Sequence, residues 1–204
     1  MIKLSTPITE DQVRGLKVGD VISLSGIFIT ARDAAHKYMV DIWLDNEPKG
    51  EDAELKSTLG PLLDGGVIYH CGPVVRQDDT GKWHFVAAGP TTSAREEPYQ
   101  HRVIGELGVR AVIGKGGMGD ITLGACEKHG AVYLHAVGGA ASLIAQQVVE
   151  VEDVYKTEFG LPEAFWRIRV EDFQCVVTMD SHGGSLHKEV LRDSRARYEE
   201  MFKS

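Results

Sequence analysis

The side chains of this sequence best suited to chemistry are hydroxyls and cations in two glycine-containing segments. Residues 89–95 read Gly-Pro-Thr-Thr-Ser-Ala-Arg, and residues 114–119 read Gly-Lys-Gly-Gly-Met-Gly. The first segment supplies the Thr91 hydroxyl and the Arg95 guanidinium, and the second supplies the Lys115 ammonium. Arginine can hold a carboxylate through two parallel hydrogen bonds, whereas lysine supplies a point charge. If the fold brings the two segments together, these residues predict a binding site for a small anion.

A further polar group follows the first predicted strand and could join that site. It consists of Arg32, Asp33, His36 and Lys37. Charged side chains on a helix are by default solvated, so this group is a weak signal when taken alone.

Each segment also has a simpler interpretation. Ser93-Ala94-Arg95-Glu96 fits the capping-box pattern, in which the hydroxyl only satisfies free N–H groups at the start of a helix. The second segment resembles a phosphate loop, but the full Gly-x-x-x-x-Gly-Lys-Ser/Thr pattern is absent. The sequence contains neither a His-x-x-x-His pair for a helical metal site nor the Gly-x-Ser-x-Gly elbow of a serine hydrolase.

Three consecutive strand–loop–helix units in the middle of the chain would bring the segments together. They predict an α/β fold in which a mixed sheet has a parallel part with right-handed crossovers. All the loops that follow parallel strands lie at one edge of such a sheet, where helix N-termini favour anions. The units are predicted as strand 84–88 with helix 93–107, strand 109–113 with helix 120–129, and strand 131–137 with helix 140–149.

The flanking parts of the chain are predicted to be mainly β. Alternating apolar and polar residues predict a strand at 19–30, and a helix is predicted at 31–44. Residues 45–66 are interpreted as a surface connection with a short helix near 53–59. We expect a single domain over residues 1–204. The other predicted elements are a short strand at 67–71, a hairpin at 74–77 and 83–88, strands at 151–155, 166–170 and 175–179, and a charged helix at 187–202.

Composition and charge narrow the class of protein. The formal net charge of -8 argues against non-specific nucleic-acid binding, which needs a basic face. No apolar run approaches the roughly 18 residues that cross a bilayer, and the N-terminus lacks the apolar core of a secretory signal. We therefore expect a cytosolic protein. Cys71, Cys126 and Cys175 are far apart and form no Cys-x-x-Cys, which favours buried free thiols over a metal site.

Five motifs, read in order, resemble one enzyme family. The likeness is to the C-terminal domain of class I fumarases and equally to the β subunits of two-chain fumarases and tartrate dehydratases, and it runs from about Lys3 to about His187. The motifs are Thr-Ala-Arg-Asp-Ala-Ala-His-Lys at 30–37, Tyr-His-Cys-Gly-Pro at 69–73, Gly-Pro-Thr-Thr-Ser-Ala-Arg at 89–95, Val-Ile-Gly-Lys-Gly-Gly-Met at 112–118 and Gly-Gly-Ala-Ala at 138–141.

The resemblance implies a swivelling β/β/α domain that packs against a separate domain carrying a 4Fe-4S cluster. In that family, cysteines of the separate domain hold the cluster, and its open iron binds the substrate. We therefore expect this chain to bind no cofactor alone and to need a partner α subunit that carries the cluster. A symmetric α2β2 assembly is the natural expectation.

The resemblance also implies an activity and its residues. Thr91 is implied to abstract a proton, and Arg32, Arg95 and Lys115 to bind the carboxylates of a dicarboxylate substrate. The implied activity is fumarate hydratase, which interconverts fumarate and (S)-malate. L-tartrate dehydratase, which makes oxaloacetate, is an alternative within the family, and a stand-alone dicarboxylate-binding module is one outside it. In the family motif Met usually follows the arginine, whereas two glutamates beginning at Glu96 follow here, which would place negative charge beside the anion site.

Overall fold

The computed structural model describes residues 1–202, and none of the helices in this range is both long and apolar enough to cross a membrane. Its strands are β1 (Ile2–Ser5), β2 (Val21–Thr30), β3 (Val67–Tyr69), β4 (Val74–Gln77), β5 (Trp83–Ala87), β6 (Ala111–Gly114), β7 (Val132–His135), β8 (Val148–Tyr155) and β9 (Phe165–Met179). Its α-helices are α1 (Glu10–Arg14), α2 (Asp33–Tyr38), α3 (Glu51–Leu63), α4 (Glu97–Leu107), α5 (Asp120–His129), α6 (Ala141–Ala145) and α7 (Leu186–Met201). A π-helix at Met39–Leu44 continues α2, and 3-10 turns occupy Ser93–Arg95 and Thr157–Phe159.

A mixed seven-stranded sheet organises the fold, in the order β1-β2-β3-β6-β7-β9-β8. The first five of these strands are parallel to one another, whereas β9 runs antiparallel to both β7 and β2. Because β9 pairs with β2 as well as with β7, the strands β2, β3, β6, β7 and β9 form a closed circuit of hydrogen-bonded neighbours. The prediction of an α/β fold with a mixed sheet is confirmed.

The parallel strands β2, β3, β6 and β7 each contribute side chains to two hydrophobic cores. In β3, Val67 and Tyr69 pack into one core, while Ile68 between them packs into the other. The second core is closed by helices α2 to α5 and by the π-helix that follows α2. Burial on both faces accounts for the nearly continuous apolar runs of these strands.

The first of the three predicted strand–loop–helix units is partly wrong, because its strand does not join the parallel sheet. β5 does not enter the seven-stranded sheet but pairs with β4 in a separate antiparallel hairpin. The tight turn at residues 78–81 directs the hydrogen bonds of β5 to β4. Trp83 and Phe85 then pack edge-on against Trp166, with ring centroids 5.3 and 5.6 Å apart.

Several other helices and strands have observed bounds that differ from the predicted ones because of tertiary packing, while two helices agree. The predicted helix 120–129 has the observed bounds of α5, and the predicted helix 187–202 corresponds closely to α7. The surface connection 45–66 instead contains the long helix α3, because Leu55, Leu59 and Leu63 recur every four residues and are buried. The predicted helix 140–149 ends early, since Val148 begins a strand that pairs with β9. The predicted strands 166–170 and 175–179 are parts of the continuous strand β9.

Candidate active site

Residues 89–95 cross the edge of the sheet just beyond the ends of β3 and β6. The Thr91 N–H donates to the His70 carbonyl at 2.7 Å, and the Thr91 carbonyl accepts from the Lys115 N–H at 3.2 Å. The Ser93 N–H donates to the Lys115 carbonyl at 3.1 Å. The side chains of Thr91 and Lys115 therefore start from directly bonded backbone positions. The structure brings together the two glycine-containing segments, as the sequence predicts.

A third glycine-containing segment, Gly-Gly-Ala-Ala at residues 138–141, reaches the same edge. A β-carbon added to Gly138 would lie 3.8 Å from Cδ of Lys115. The Ala88 N–H donates to the Ala141 carbonyl at 2.9 Å, and the Tyr69 hydroxyl donates to the Ala88 carbonyl. The turn after Ala88 is thus fixed by the buried Tyr69 and by the start of α6.

The Ser93 hydroxyl does not cap a helix, so the simpler interpretation of this motif is wrong. It is buried and lies 2.8 Å from Nδ1 of His70 and 2.8 Å from the Tyr133 hydroxyl. The 3-10 turn that begins here follows Thr92 and has no side-chain capping bond. A β-carbon at Gly114 would lie 1.9 Å from Oγ of Ser93. The close approach of the two segments therefore requires glycine at position 114.

A buried network of two histidines and a glutamine lies beneath the site. Nε2 of His36 and Nε2 of His70 each lie 2.8 Å from the side-chain amide of Gln100, and Nδ1 of His36 lies 2.9 Å from the Arg32 carbonyl. Burial lowers the pKa of both histidines, so both are neutral at neutral pH. If the side-chain oxygen of Gln100 lay between the two rings, His36 would have to donate from both of its nitrogens. A neutral imidazole has only one N–H and cannot do this. We therefore assign the amide nitrogen to that position, which lets the rings donate from Nδ1 to Arg32 and Ser93.

Both arginines of the implied site are paired with acids of this chain. The Arg95 guanidinium donates to Asp33, and its side chain is 53% exposed. Arg32 lies 3.2 Å from Glu163 and is only 18% exposed. A β-carbon at Gly72 would lie 2.5 Å from Nη1 of Arg32, so the guanidinium rests directly on this glycine. Arg32 is therefore held more firmly than Arg95.

Lys115 and Thr91 are the other two implied site residues, and both are partly exposed at this edge of the sheet. The ion pairs at this edge involve Arg32 and Arg95, whereas Lys115 forms none with the residues that the structure describes. Among the candidate cations, the Lys115 ammonium is thus the one that a substrate carboxylate can reach without displacing an acidic side chain of residues 1–202.

The two glutamates that follow Arg95 do not add two charges to the site, contrary to the sequence-based expectation. Burial, and secondarily contact with Asp33, raises the pKa of Glu96 to about 8, so this carboxyl is mostly protonated at neutral pH. Glu97 accepts from the N–H of Gly119 at 2.8 Å and from the N–H and hydroxyl of Thr122 at 3.2 and 2.8 Å. Glu97 therefore caps the start of α5. Sequence reasoning could not find these roles, because both depend on residues distant along the chain.

The cysteines do not fit an iron–sulfur cluster. Cys71, Cys126 and Cys175 are buried and free, as expected. Burial raises the pKa of each thiol to about 12, whereas metal binding needs the thiolate. Cys126 also lies in a different core from the other two. Within residues 1–202, no group of three His, Cys, Asp or Glu side chains is placed to hold a metal ion.

Comparison with known proteins supplies relatives for this fold and site. The chain is 52% identical over 194 residues to a Geobacillus stearothermophilus protein named "Putative fumarate hydratase class I". That alignment covers 95% of this chain but 35% of the relative, so the chain spans about a third of its length. The chain is also 40% identical over 184 residues to the L(+)-tartrate dehydratase subunit beta of Escherichia coli strain K12, covering 90% of this chain and 85% of the subunit.

The family model described as "Fumarase C-terminus" matches residues 1–190. This range includes every strand of the sheet and all four implied site residues. Because the match covers most of the chain and agrees with both relatives, the chain belongs to the fumarase C-terminus family.

Proposed function

We propose that this chain is the β subunit of a two-chain hydro-lyase, and that it interconverts fumarate and (S)-malate together with its partner. The observation that carries the proposal is the backbone hydrogen bond of 3.2 Å between Thr91 and Lys115. Because of this bond, the side chains of Thr91 and Lys115 start from adjacent backbone positions at the sheet edge. Arg32 and Arg95 lie at the same edge, close to the start of α2. Arg95 forms an ion pair there with Asp33.

This chain would handle the proton and the carboxylates of the substrate. When malate loses water, a proton leaves the carbon next to one carboxylate and hydroxide leaves the adjoining carbon, which gives the double bond of fumarate. We assign the proton to Oγ of Thr91 and the carboxylates to Arg32, Arg95 and Lys115. Positive charge at Lys115 would stabilise the negative charge that develops as the proton leaves. It would also favour the Thr91 alkoxide, since a threonine hydroxyl is a poor base at its ordinary pKa.

The 4Fe-4S cluster implied by the resemblance would then be held by a partner α subunit, in an α2β2 assembly. Two observations support this division. The cysteines of this chain are buried thiols, and the E. coli relative, which the chain matches over 85% of its length, is named as a β subunit. We also propose that the mixed sheet with its helices is the swivelling β/β/α domain of this family.

L-tartrate dehydratase remains the second candidate, and one observation favours it. The chain is 40% identical over 184 residues to the E. coli protein named L(+)-tartrate dehydratase subunit beta. The two activities share the chemistry assigned to Thr91 and differ in the second hydroxyl of the substrate. Turnover of malate, fumarate and tartrate by the reconstituted complex decides between them, and activity on tartrate alone would overturn the fumarase proposal.

The role of Thr91 is tested by substitution in that complex. We expect Thr91→Ala to reduce kcat by at least ~100-fold, the scale of a positioned general base, and Thr91→Ser to retain more activity because it keeps the hydroxyl. Thr92→Ala is the matched control, because Thr92 is exposed and pairs with Lys115 through the backbone. Retention of kcat within a few-fold in Thr91→Ala would contradict the assignment.

A stand-alone dicarboxylate-binding module makes a different prediction. Such a module would bind malate tightly without any partner. Calorimetry on this chain alone, compared with the reconstituted complex, separates the two functions. Tight binding by the chain together with no turnover by the complex would favour the binding module.

A further inference from the structure

The carboxyl group of Glu96 is buried in this structure without a conventional partner. The residue is 0% exposed, and neither of its carboxyl oxygens accepts a hydrogen bond from residues 1–202. The buried oxygen Oδ1 of Asp33 also lacks a donor among these residues. Asp33 forms an ion pair with Arg95, the residue directly before Glu96, and a hydrogen bond between the two carboxyl groups is among the causes that shift the pKa of each. One proton shared between them supplies the missing donor.

The neighbouring charges decide which carboxyl carries the proton. The pKa of Asp33 lies below its ordinary value despite partial burial, first because of its hydrogen bond with Glu96 and then because Asp33 faces the Arg95 guanidinium. Glu96 is more deeply buried and lies against the negative Asp33, so its neutral form is favoured. Glu96 therefore donates through its O–H to Oδ1 of Asp33, while Oδ2 of Asp33 accepts from Arg95.

The other charged or titratable groups near this pair do not change that assignment. Glu163 acts on Arg95 from the loop before β9 and adds negative charge. His36 of α2 is neutral because it is buried. Tyr133 of β7 interacts electrostatically with Glu96. Its pKa is raised chiefly by burial, so it stays a neutral phenol. Arg95 is thus the cation that balances the single negative charge of the pair.

We propose that Asp33 and Glu96 share one proton, and that this proton is required for Arg95 to bind an external carboxylate. With the proton in place, the pair carries one negative charge and Asp33 divides its hydrogen bonding between Glu96 and Arg95. Without it, two negative charges lie beside Arg95, hold the guanidinium and repel an incoming anion. Glu96 is in this sense a positioning residue, and the second half of the proposal rests on the function proposed for Arg95.

The shared proton is tested on the full chain without any ligand. Isotope-labelled carboxyl carbons are followed by NMR across pH. We expect one carboxyl to titrate near pH 8 and to vanish in Glu96→Gln. The control Glu106→Gln removes an exposed glutamate of α4, the helix that begins directly after Glu96, and should leave that titration unchanged. If every carboxyl titrates in the ordinary range, below about 5, the proposal is overturned.

The link to anion binding is tested with succinate, an unreactive dicarboxylate, on the reconstituted complex. We expect its affinity to fall by up to about tenfold per pH unit above pH 8, because binding then requires uptake of one proton. The affinity of Glu96→Gln for succinate should show no such fall. The double variant that combines Glu96→Gln with Glu106→Gln should behave in the same way. A wild-type affinity that is constant through pH 9, or a complex that does not bind succinate at all, overturns this half. In the latter case a persistent titration near pH 8 shows that the shared proton stands and that the proposed role of Arg95 fails.

Discussion

The buried Glu96 carboxyl gives this protein a pH-dependent stability that one substitution should remove. Its pKa is raised from the ordinary 4.5 to about 8 in the folded chain. Between these values the unfolded chain releases the proton and the folded chain keeps it, so this group lowers the free energy of unfolding as pH rises. Gln has a similar shape, can donate a hydrogen bond to Asp33 and does not titrate.

The size of the effect follows from the pKa difference. At pH 7 the solution is about 2.5 pH units above the ordinary pKa of Glu96, and each unit corresponds to about 1.4 kcal/mol, which gives on the order of 3 kcal/mol. We expect the stability of Glu96→Gln relative to wild type to increase by about this amount between pH 4.5 and pH 7. An effect of this size is a large part of the stability of a typical domain.

Urea unfolding at several pH values between 4.5 and 8 measures the difference. His36 and His70 also titrate on unfolding in this range, but with lowered pKa values they destabilise the fold as pH falls. Their contribution is common to both proteins and cancels in the difference. Glu106→Gln serves as the exposed control and should track wild type. Parallel curves for wild type and Glu96→Gln would refute the reasoning, because the carboxyl would then ionise as it does in the unfolded chain.

Two further substitutions test the packing beneath the site. Gly114→Ala places a β-carbon 1.9 Å from Oγ of Ser93 and should lower the free energy of unfolding by about 1–3 kcal/mol, whereas Gly124→Ala, in open space on α5, should raise it by about 0.5–1 kcal/mol; equal effects would contradict the contact. Gln100→Leu removes the amide between the two buried histidines and should destabilise by about 2–5 kcal/mol, measured by denaturant unfolding at pH 7; a neutral result would show that the imidazoles find other partners.

The parts of the fold that the sequence predicts correctly are those with a local cause. The helix α5 lies between Gly119 and Gly130, and both boundaries can be read from the sequence. Residues 89–95 meet Lys115 as predicted but for a different reason, because they follow β5, which lies outside the sheet. His70 and Lys115, which directly follow the parallel strands β3 and β6, supply the backbone groups that hold Thr91 at the shared edge.

The parts that were missed depend on contacts between distant residues. Ser93 stands in a good capping pattern, but His70 and Tyr133 offer it a buried hydrogen-bonded position that local sequence does not encode. Glu96 reads as a surface charge, and only its complete burial beside Asp33 makes it a neutral acid. Both errors have the same origin, because burial is a property of the assembled fold.

The ion pairs of the site determine how much free energy each proposed contact with the substrate costs to form. A dicarboxylate that reaches Arg95 must replace Asp33, and since that pair is about half exposed, its loss costs only about 0.2–1 kcal/mol. Replacing Glu163 at Arg32 is costlier, because both side chains are about four-fifths buried and Glu163 also accepts from the Ala34 N–H at 3.2 Å. Lys115 has no such competitor among the described residues. We therefore expect the first carboxylate contacts to form at Lys115 and Arg95, and the contact with Arg32 to form last.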